Sequence, residues 1–358
     1  MALRVLAVAQ ASELGGAELA LLRLAPALAA EDVELELAVP AEGGVARRAR
    51  ELGLPVHELP IGPLRRGGWI RAVLAWPRTR ALVRRLEPDV VWLNGIVPQR
   101  VVPALDRAPV VLHLHDVLAH RPPQWRGTRF WRRVRVVACA SEAVARAAAA
   151  QGAPADRLRV APVPVEAVEP SPQPEWAGQG PVVGFVGRIE PRKGLLDLLA
   201  AARSLSERVR RLRIVIVRGP ALEADRDYER RVLEMAGRMG DTVVVTGPDD
   251  DARRLMPWFD VLCVPSLVEP FGTVAAEALA AGTPAVVTDS GGMPEYVTPG
   301  RSGEVVPPGE PAQLAAALER VLATAPAMAD AARADVARFE TSRAASETAA
   351  ILREAAGR

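Results

Sequence analysis

Two carboxylates in the segment "EPFGTVAAEALAAGTP", Glu269 and Glu277, are separated by seven residues. Pro270, Phe271 and Gly272 follow the first, and Thr273 is placed to cap a helix that runs to about Ala281, where Gly282 ends it. The first turn of such a helix presents free N–H groups and the positive end of a dipole, which suits a phosphate. Gly272 lets the backbone approach it closely. A carboxylate one turn further in would repel a phosphate, but it would accept hydrogen bonds from ribose hydroxyls. A lone E-x7-E is more simply two solvated charges beside a helix start, so the nucleotide reading needs a second motif.

That motif is "GRIEPRKG", Gly187–Gly194, which follows a β-branched run and also opens a helix. It holds Lys193, the single lysine among 45 basic residues. Arg188 and Lys193 at a strand end suit a departing diphosphate, where negative charge develops as a bond breaks. An ammonium is a compact, rotatable point charge that arginine's planar fork does not reproduce. The plainer reading is one lysine that escaped a codon bias. In the first half, "SELGGAELAL" (12–21) supplies a further strand–Gly–Gly–helix turn at Gly15 and Gly16, and "LHLHDVLAH" (112–120) puts His115 and Asp116 at a strand end. Each of these also has an ordinary structural reading.

The elements that must position these residues alternate. Strand-like runs at 3–9, 33–39, 88–94, 108–116 and 134–141 are separated by helical patterns, including an arginine-rich one over 69–86. Five prolines between Pro162 and Pro174 mark a linker. The alternation restarts at 181–187, 212–217, 242–247, 260–266 and 284–289, and ends in an alanine-rich helical tail. This pattern predicts an α/β protein with two Rossmann-like domains. The expected boundaries are 1–165, with 336–358 crossing back to it, and 166–335. The apolar start "MALRVLAVAQAS" is too short for a leader and reads as the first strand. No apolar run is long enough to span a membrane. Cys139 and Cys263 sit in apolar runs and read as buried free thiols of a reducing compartment, hence a cytoplasmic protein. A net charge of +2 on 358 residues gives no reason to expect nucleic acid as a partner.

Taken together, these sites resemble the retaining glycosyltransferases of family 4, which have the GT-B fold, two Rossmann-like domains facing a cleft with a C-terminal helix crossing back. The resemblance implies a nucleotide-sugar donor, most simply a UDP- or GDP-sugar, and no metal. It implies that Glu269 holds donor-sugar hydroxyls and that Phe271, Gly272 and Thr273 lie along the donor and its diphosphate. Glu277 would hold the ribose, and Arg188 and Lys193 the leaving diphosphate. Gly15 and Gly16 would close on the phosphates, and His115 would contact the sugar near its anomeric side. The first domain would bind a glycan, lipid-linked or small-molecule acceptor and the second the donor. After "LRIVIV", "RGPAL" (218–222) departs from the family's glycine-rich turn.

Three questions stay open at this stage. The D-x-D of Asp249 and Asp251 could hold a metal, but Asp251 is equally placed as an N-cap, and no metal site is expected. Thirteen arginines over 65–85 and 121–135, with aromatic residues and no acid, suit an anionic membrane surface or a lipid phosphate, or else a solvated helix face. The first two would dock the protein peripherally at the inner face of the cytoplasmic membrane. Finally, a nucleotide-sugar epimerase or a non-catalytic nucleotide-sugar-binding protein could share this fold.

Overall fold

A computed structural model describes residues 2–61, 68–105, 108–166, 168–219, 225–247 and 251–358. The chain divides into two compact units, 1–164 with 339–358, and 165–338.

In the first unit the strands are β1 (Leu3–Ala9), β2 (Val33–Val39), β3 (Val56–Glu58), β4 (Val90–Asn94), β5 (Val110–Leu114), β6 (Val134–Cys139) and β7 (Leu158–Val160). They form one parallel sheet in the order β3-β2-β1-β4-β5-β6-β7. Its helices are α1 (Gly16–Ala30), α2 (Gly44–Glu51), α3 (Gly68–Leu86), α4 (Thr128–Arg133), α5 (Glu142–Ala150) and, from the end of the chain, α10 (Thr341–Ala356). Helix α10 buries Ala344, Ala345, Ala349 and Leu352 beside Trp92 of β4 and Leu21 and Leu24 of α1. Small residues on α10 let the helix lie close to the sheet.

The second unit holds β8 (Val182–Gly187), β9 (Arg213–Arg218), β10 (Val243–Thr246), β11 (Val261–Val264), β12 (Ala285–Thr288) and β13 (Gly303–Val306), parallel in the order β10-β9-β8-β11-β12-β13. Its helices are α6 (Leu195–Ser206), α7 (Arg226–Gly237), α8 (Thr273–Ala281) and α9 (Pro311–Val336). Both sheets carry near-continuous Val, Leu and Ile because helices cover both faces.

Strands β3, β7 and β13 were not among the expected runs. Each is short and pairs along one side of a sheet edge. Gly303 opens β13 because a Cβ there would lie 1.8 Å from the Ala285 carbonyl oxygen. Strand order reverses between β1 and β4 in the first sheet and between β8 and β11 in the second. Sheets of this kind leave a crevice beyond the carboxyl ends of the strands at such a point, and ligands bind there.

Candidate functional site

The predicted residues of the second unit lie at its reversal point. Arg188 and Lys193 follow β8, and Glu269 follows β11. The loop after β8 passes through a 3-10 turn, Pro191–Lys193, to Gly194, which caps α6 in the left-handed conformation at φ 64°. Only glycine fits there, since a Cβ would lie 1.9 Å from the Pro265 carbonyl oxygen. This close approach brings the β8 and β11 loops together. Lys193 Nζ donates to Glu269 Oε2 at 2.6 Å, and Ser266 Oγ donates to the same oxygen at 3.0 Å. Glu269 is only 7% exposed, so its charge is balanced locally.

The loop bearing Glu269 is pinned from several sides. Leu267 N–H donates to the Arg192 carbonyl at 2.7 Å, Ser290 Oγ to the Ser266 carbonyl at 3.0 Å, and Gly292 N–H to the Glu269 carbonyl at 3.1 Å. Gly291, at φ 71°, is needed because a Cβ would lie 1.7 Å from the Glu269 carbonyl oxygen. Arg188 is not a lone cation. It bridges to buried Glu190 at 3.1 Å, and Arg192 reaches the same carboxylate at 2.7 Å. Glu190, Ser266, Ser290 and Gly291 were missed in the sequence. The run "VPSLVEP" signals Ser266, but nothing local reveals its partners.

Helix α8 begins at Thr273, and its N-cap is Gly272 at φ 85°, not the threonine. This corrects the expected cap. Gly272 is required by the fold itself, since a Cβ would lie 2.5 Å from Met293 Cγ and 2.8 Å from the Tyr296 oxygen. The Tyr296 hydroxyl lies 2.8 Å from the Phe271 carbonyl and 2.7 Å from that of Gly272, and the Phe271 ring packs on Tyr296 at 5.3 Å. With that ring buried, what the segment offers a ligand is backbone N–H at the start of α8. Glu277 is 6% exposed inside α8. Arg253 lies near it: the hydrogen bonds it donates to Asp251, then the charges of Asp251 and Glu277, hold the guanidinium proton more tightly.

Asp251 precedes a 3-10 helix, Ala252–Trp258, but does not cap it with its side chain. Its carboxylate grips Arg253 at 2.6 and 2.7 Å. Asp249 lies outside the described residues. Among the described residues no group of three or more His, Cys, Asp or Glu is arranged to hold a metal. Cys139 and Cys263 are free and buried, and burial raises both thiols, Cys139 to about 12.

In the first unit the predicted residues also gather at the reversal point. Gly15 is the N-cap of α1 in extended conformation, and Gly16 opens the helix with nothing within 4 Å of a Cβ built on it. No contact within the unit therefore demands glycine at 16. Glu18, in the first turn, is buried, and desolvation raises its carboxyl against hydrogen bonds from backbone near Gln10 and Ala11. His115, just past β5, has its Nε2 2.8 Å from Asn94 Oδ1. Burial lowers its ring to about 4, so it is neutral near pH 7. Asn94, the last residue of β4, was not singled out in the sequence, where it reads only as the polar end of a strand.

Two parallel-sheet α/β domains, of seven and six strands, have the architecture of the GT-B fold. Solved relatives agree on the fold. Anabaena Alr3699/HepE in complex with UDP superposes with a TM-score of 0.81 at 24% identity, covering 98% of this chain and 100% of that one. Its complex with UDP-glucose gives 0.78 at 24% identity, over 97% and 99%. The lipopolysaccharide outer core galactosyltransferase WaaB gives 0.75 at 16%, over 98% and 99%. In sequence, residues 14–169 match Glycosyltransferase Family 4 and residues 180–324 match Glycosyl transferases group 1. The chain therefore carries the paired glycosyltransferase domains, family 4 followed by group 1. It is 34% identical to D-inositol 3-phosphate glycosyltransferase of Nocardia farcinica over 52% of this chain and 45% of that protein. It is 36% identical to 2-deoxystreptamine glucosyltransferase of Streptomyces kanamyceticus over 47% and 42%. The chain thus spans less than half the length of these curated relatives.

Proposed function

We propose that this chain moves a sugar from a nucleotide-sugar to an acceptor hydroxyl, with retained anomeric configuration and without a metal. The observation that carries the reading is the Lys193–Glu269 pair, set at the reversal point of the second sheet and beside the loop that leads into α8. Glu269 would take donor-sugar hydroxyls, and Lys193 and Arg188 the diphosphate. Backbone N–H groups at the start of α8, from Gly272 and Thr273 onward, would lie along the phosphates, and Glu277 would hold the ribose. In the first unit Gly15 and Gly16 would close on the phosphates, and His115 would meet the sugar.

In the reaction the bond between the sugar's anomeric carbon and the β-phosphate oxygen breaks, and its electrons leave with the nucleoside diphosphate. The acceptor oxygen forms the new bond on the same face and passes its proton to the departing phosphate. Arg188, Arg192 and Lys193 stand against two carboxylates, Glu190 and Glu269, so this loop keeps an excess of positive charge for the leaving group. UDP-sugars head the list of donors because the HepE structures hold UDP and UDP-glucose. Small polyols head the acceptors, as the names of the two curated relatives suggest; lipid-linked acceptors and docking at an anionic membrane remain tied to the arginine runs.

A thermal-shift screen against UDP-, GDP-, ADP- and dTDP-sugars finds the donor, because a ligand that binds only the folded state raises its stability. NMR of the product then reads the anomeric configuration, and an inverted product would overturn retention. Release of free nucleoside diphosphate should require acceptor. Release of it, or a changed sugar, with donor alone favours an epimerase. Activity should survive excess EDTA; loss rescued by Mn²⁺ or Mg²⁺ would bring the aspartates at 249–251 back as ligands.

A further inference from the structure

We propose that Asn94 is a positioning residue: its amide fixes the His115 ring with the proton on Nε2, so that Nδ1 is left as a lone-pair acceptor for a sugar hydroxyl, and it ties that ring to the Gly15–Gly16 turn. The sugar hydroxyl rests on the function proposed above. The ring assignment does not.

The assignment follows from donor and acceptor logic. Asn94 is fully buried, so both ends of its amide need partners. One end lies 3.0 Å from the Ala17 carbonyl oxygen, in the first turn of α1. A carbonyl only accepts, so that end of the amide is the nitrogen. The other end, 2.8 Å from His115 Nε2, is then the amide oxygen, and Nε2 must carry the hydrogen. A neutral imidazole has one N–H, which leaves Nδ1 unprotonated. Burial of the ring opposes a second proton.

Asparagine is the side chain that does both jobs at this position. Aspartate would accept from His115 but could not donate to Ala17. The next residue, Gly95, turns at φ 106°, and its N–H donates to the His113 carbonyl at 2.8 Å, which locks the backbone behind the amide. His113 holds the ring from its face, with centroids 4.1 Å apart, and is itself stacked on Trp92 at 5.8 Å. A ring held by its edge and its face loses little freedom when a ligand arrives. His115 is then an orienting acceptor, not a proton donor to the leaving group. Asn94 thus links the His115 ring to the Ala17 carbonyl, one residue past the Gly15–Gly16 turn.

The test is a long-range ¹H–¹⁵N correlation on the ¹⁵N-labelled full chain at pH 7, with His115 assigned by the signals lost in His115→Gln. The expected wild-type spectrum is a single Nε2–H tautomer for His115, and with that assignment in hand it decides the matter even if Asn94→Ala folds poorly. Asn94→Ala should release the ring into a mixture of tautomers while UDP affinity stays within about twofold. With a working donor and acceptor its kcat should fall about tenfold to a hundredfold, the scale known for partners that orient histidine ligands. A wild-type ring that is cationic or Nδ1–H overturns the proposal, as does an unchanged tautomer in Asn94→Ala. If no donor is turned over by the wild type, the function proposed above fails, and the spectrum still decides the role of Asn94.

Discussion

Lys193 and Glu269 serve each other before they serve any ligand. Their side chains are 14% and 9% exposed and meet at 2.6 Å, so removing one leaves a poorly solvated charge. Loss of one partner of a buried pair costs about 3–5 kcal/mol, more than a change to two neutral groups. Lys193→Ala should therefore lower turnover by roughly 10²–10³, and it should also lower stability. Lys193→Met with Glu269→Gln should recover the stability but not the turnover. Full activity in Lys193→Arg would show that the ammonium is dispensable. Glu277→Gln should weaken binding of free nucleotide, since a charge-assisted hydrogen bond of about 1.5–3 kcal/mol is lost or reduced. Isothermal titration decides it, and unchanged affinity with lost turnover would remove Glu277 from the ribose. The residue types and their loops were legible because Glu, Lys and Gly at strand ends are a chemical signal. Their pairing was not, because 76 residues separate Lys193 from Glu269 and only the β8–β11 adjacency brings them together.

Elements were legible where sequence periodicity is strong and weak where a neighbour decides. The β-branched runs of β1, β4, β5, β6, β8, β9 and β11 announce themselves. Three-residue β7 does not, and β13 depends on what a glycine permits against β12. The N-cap of α8 fell to Gly272 because its left-handed backbone is set by packing on Met293 and Tyr296, not by side-chain capping. The end of β5 carries a consequence for stability. His113 is buried with neither ring nitrogen hydrogen-bonded, and burial holds it well below 6.5; His115 is lowered to about 4. Between about 6.5 and 4 the unfolded chain takes up protons that the folded strand refuses. Stability is thus unaffected by these rings above that window and falls as pH drops through it, by roughly 3 kcal/mol for His115 alone. Carboxylates and His115 also titrate in acid, so the comparison that isolates the His113 ring is with His113→Phe. Urea midpoints from pH 7.5 to 5 should fall more steeply in the wild type than in this variant, and parallel slopes would contradict the account.

At the scale of the molecule, charge is the remaining signal. Among the described residues no helix is long and apolar enough to cross a membrane, so any membrane contact from them must be made at a surface. The first unit brings its two arginine runs together. Arg132, Arg133 and Arg135 line a recess of about 350 Å³, Arg80 and Arg84 one of about 540 Å³, and both recesses share Ala108 and Pro109. These positions flank the amino ends of β4, β5 and β6, whereas Gly15, Asn94 and His115 sit at the carboxyl ends. Residues 62–67, with Arg65 and Arg66, lie outside the described residues. The runs that hold no acid in sequence gain Glu87, Asp89 and Glu354 as neighbours in space. Asp89 takes Arg358 at 2.8 Å and Glu354 takes Arg159 at 2.6 Å, so these acids are partly engaged already. If this edge docks on an anionic leaflet, each cation near the surface contributes about 1 kcal/mol, and salt screens it. Vesicle binding should then rise steeply with anionic lipid and fall between low and physiological salt. Arg129, Arg132 and Arg133 are exposed, and changing all three to Ser should weaken binding by up to about a hundredfold. UDP affinity should not change, because the proposed donor residues that bind it belong to the other unit. If the wild type binds anionic and neutral vesicles alike, the arginines are solvated faces, and the acceptor is drawn from solution.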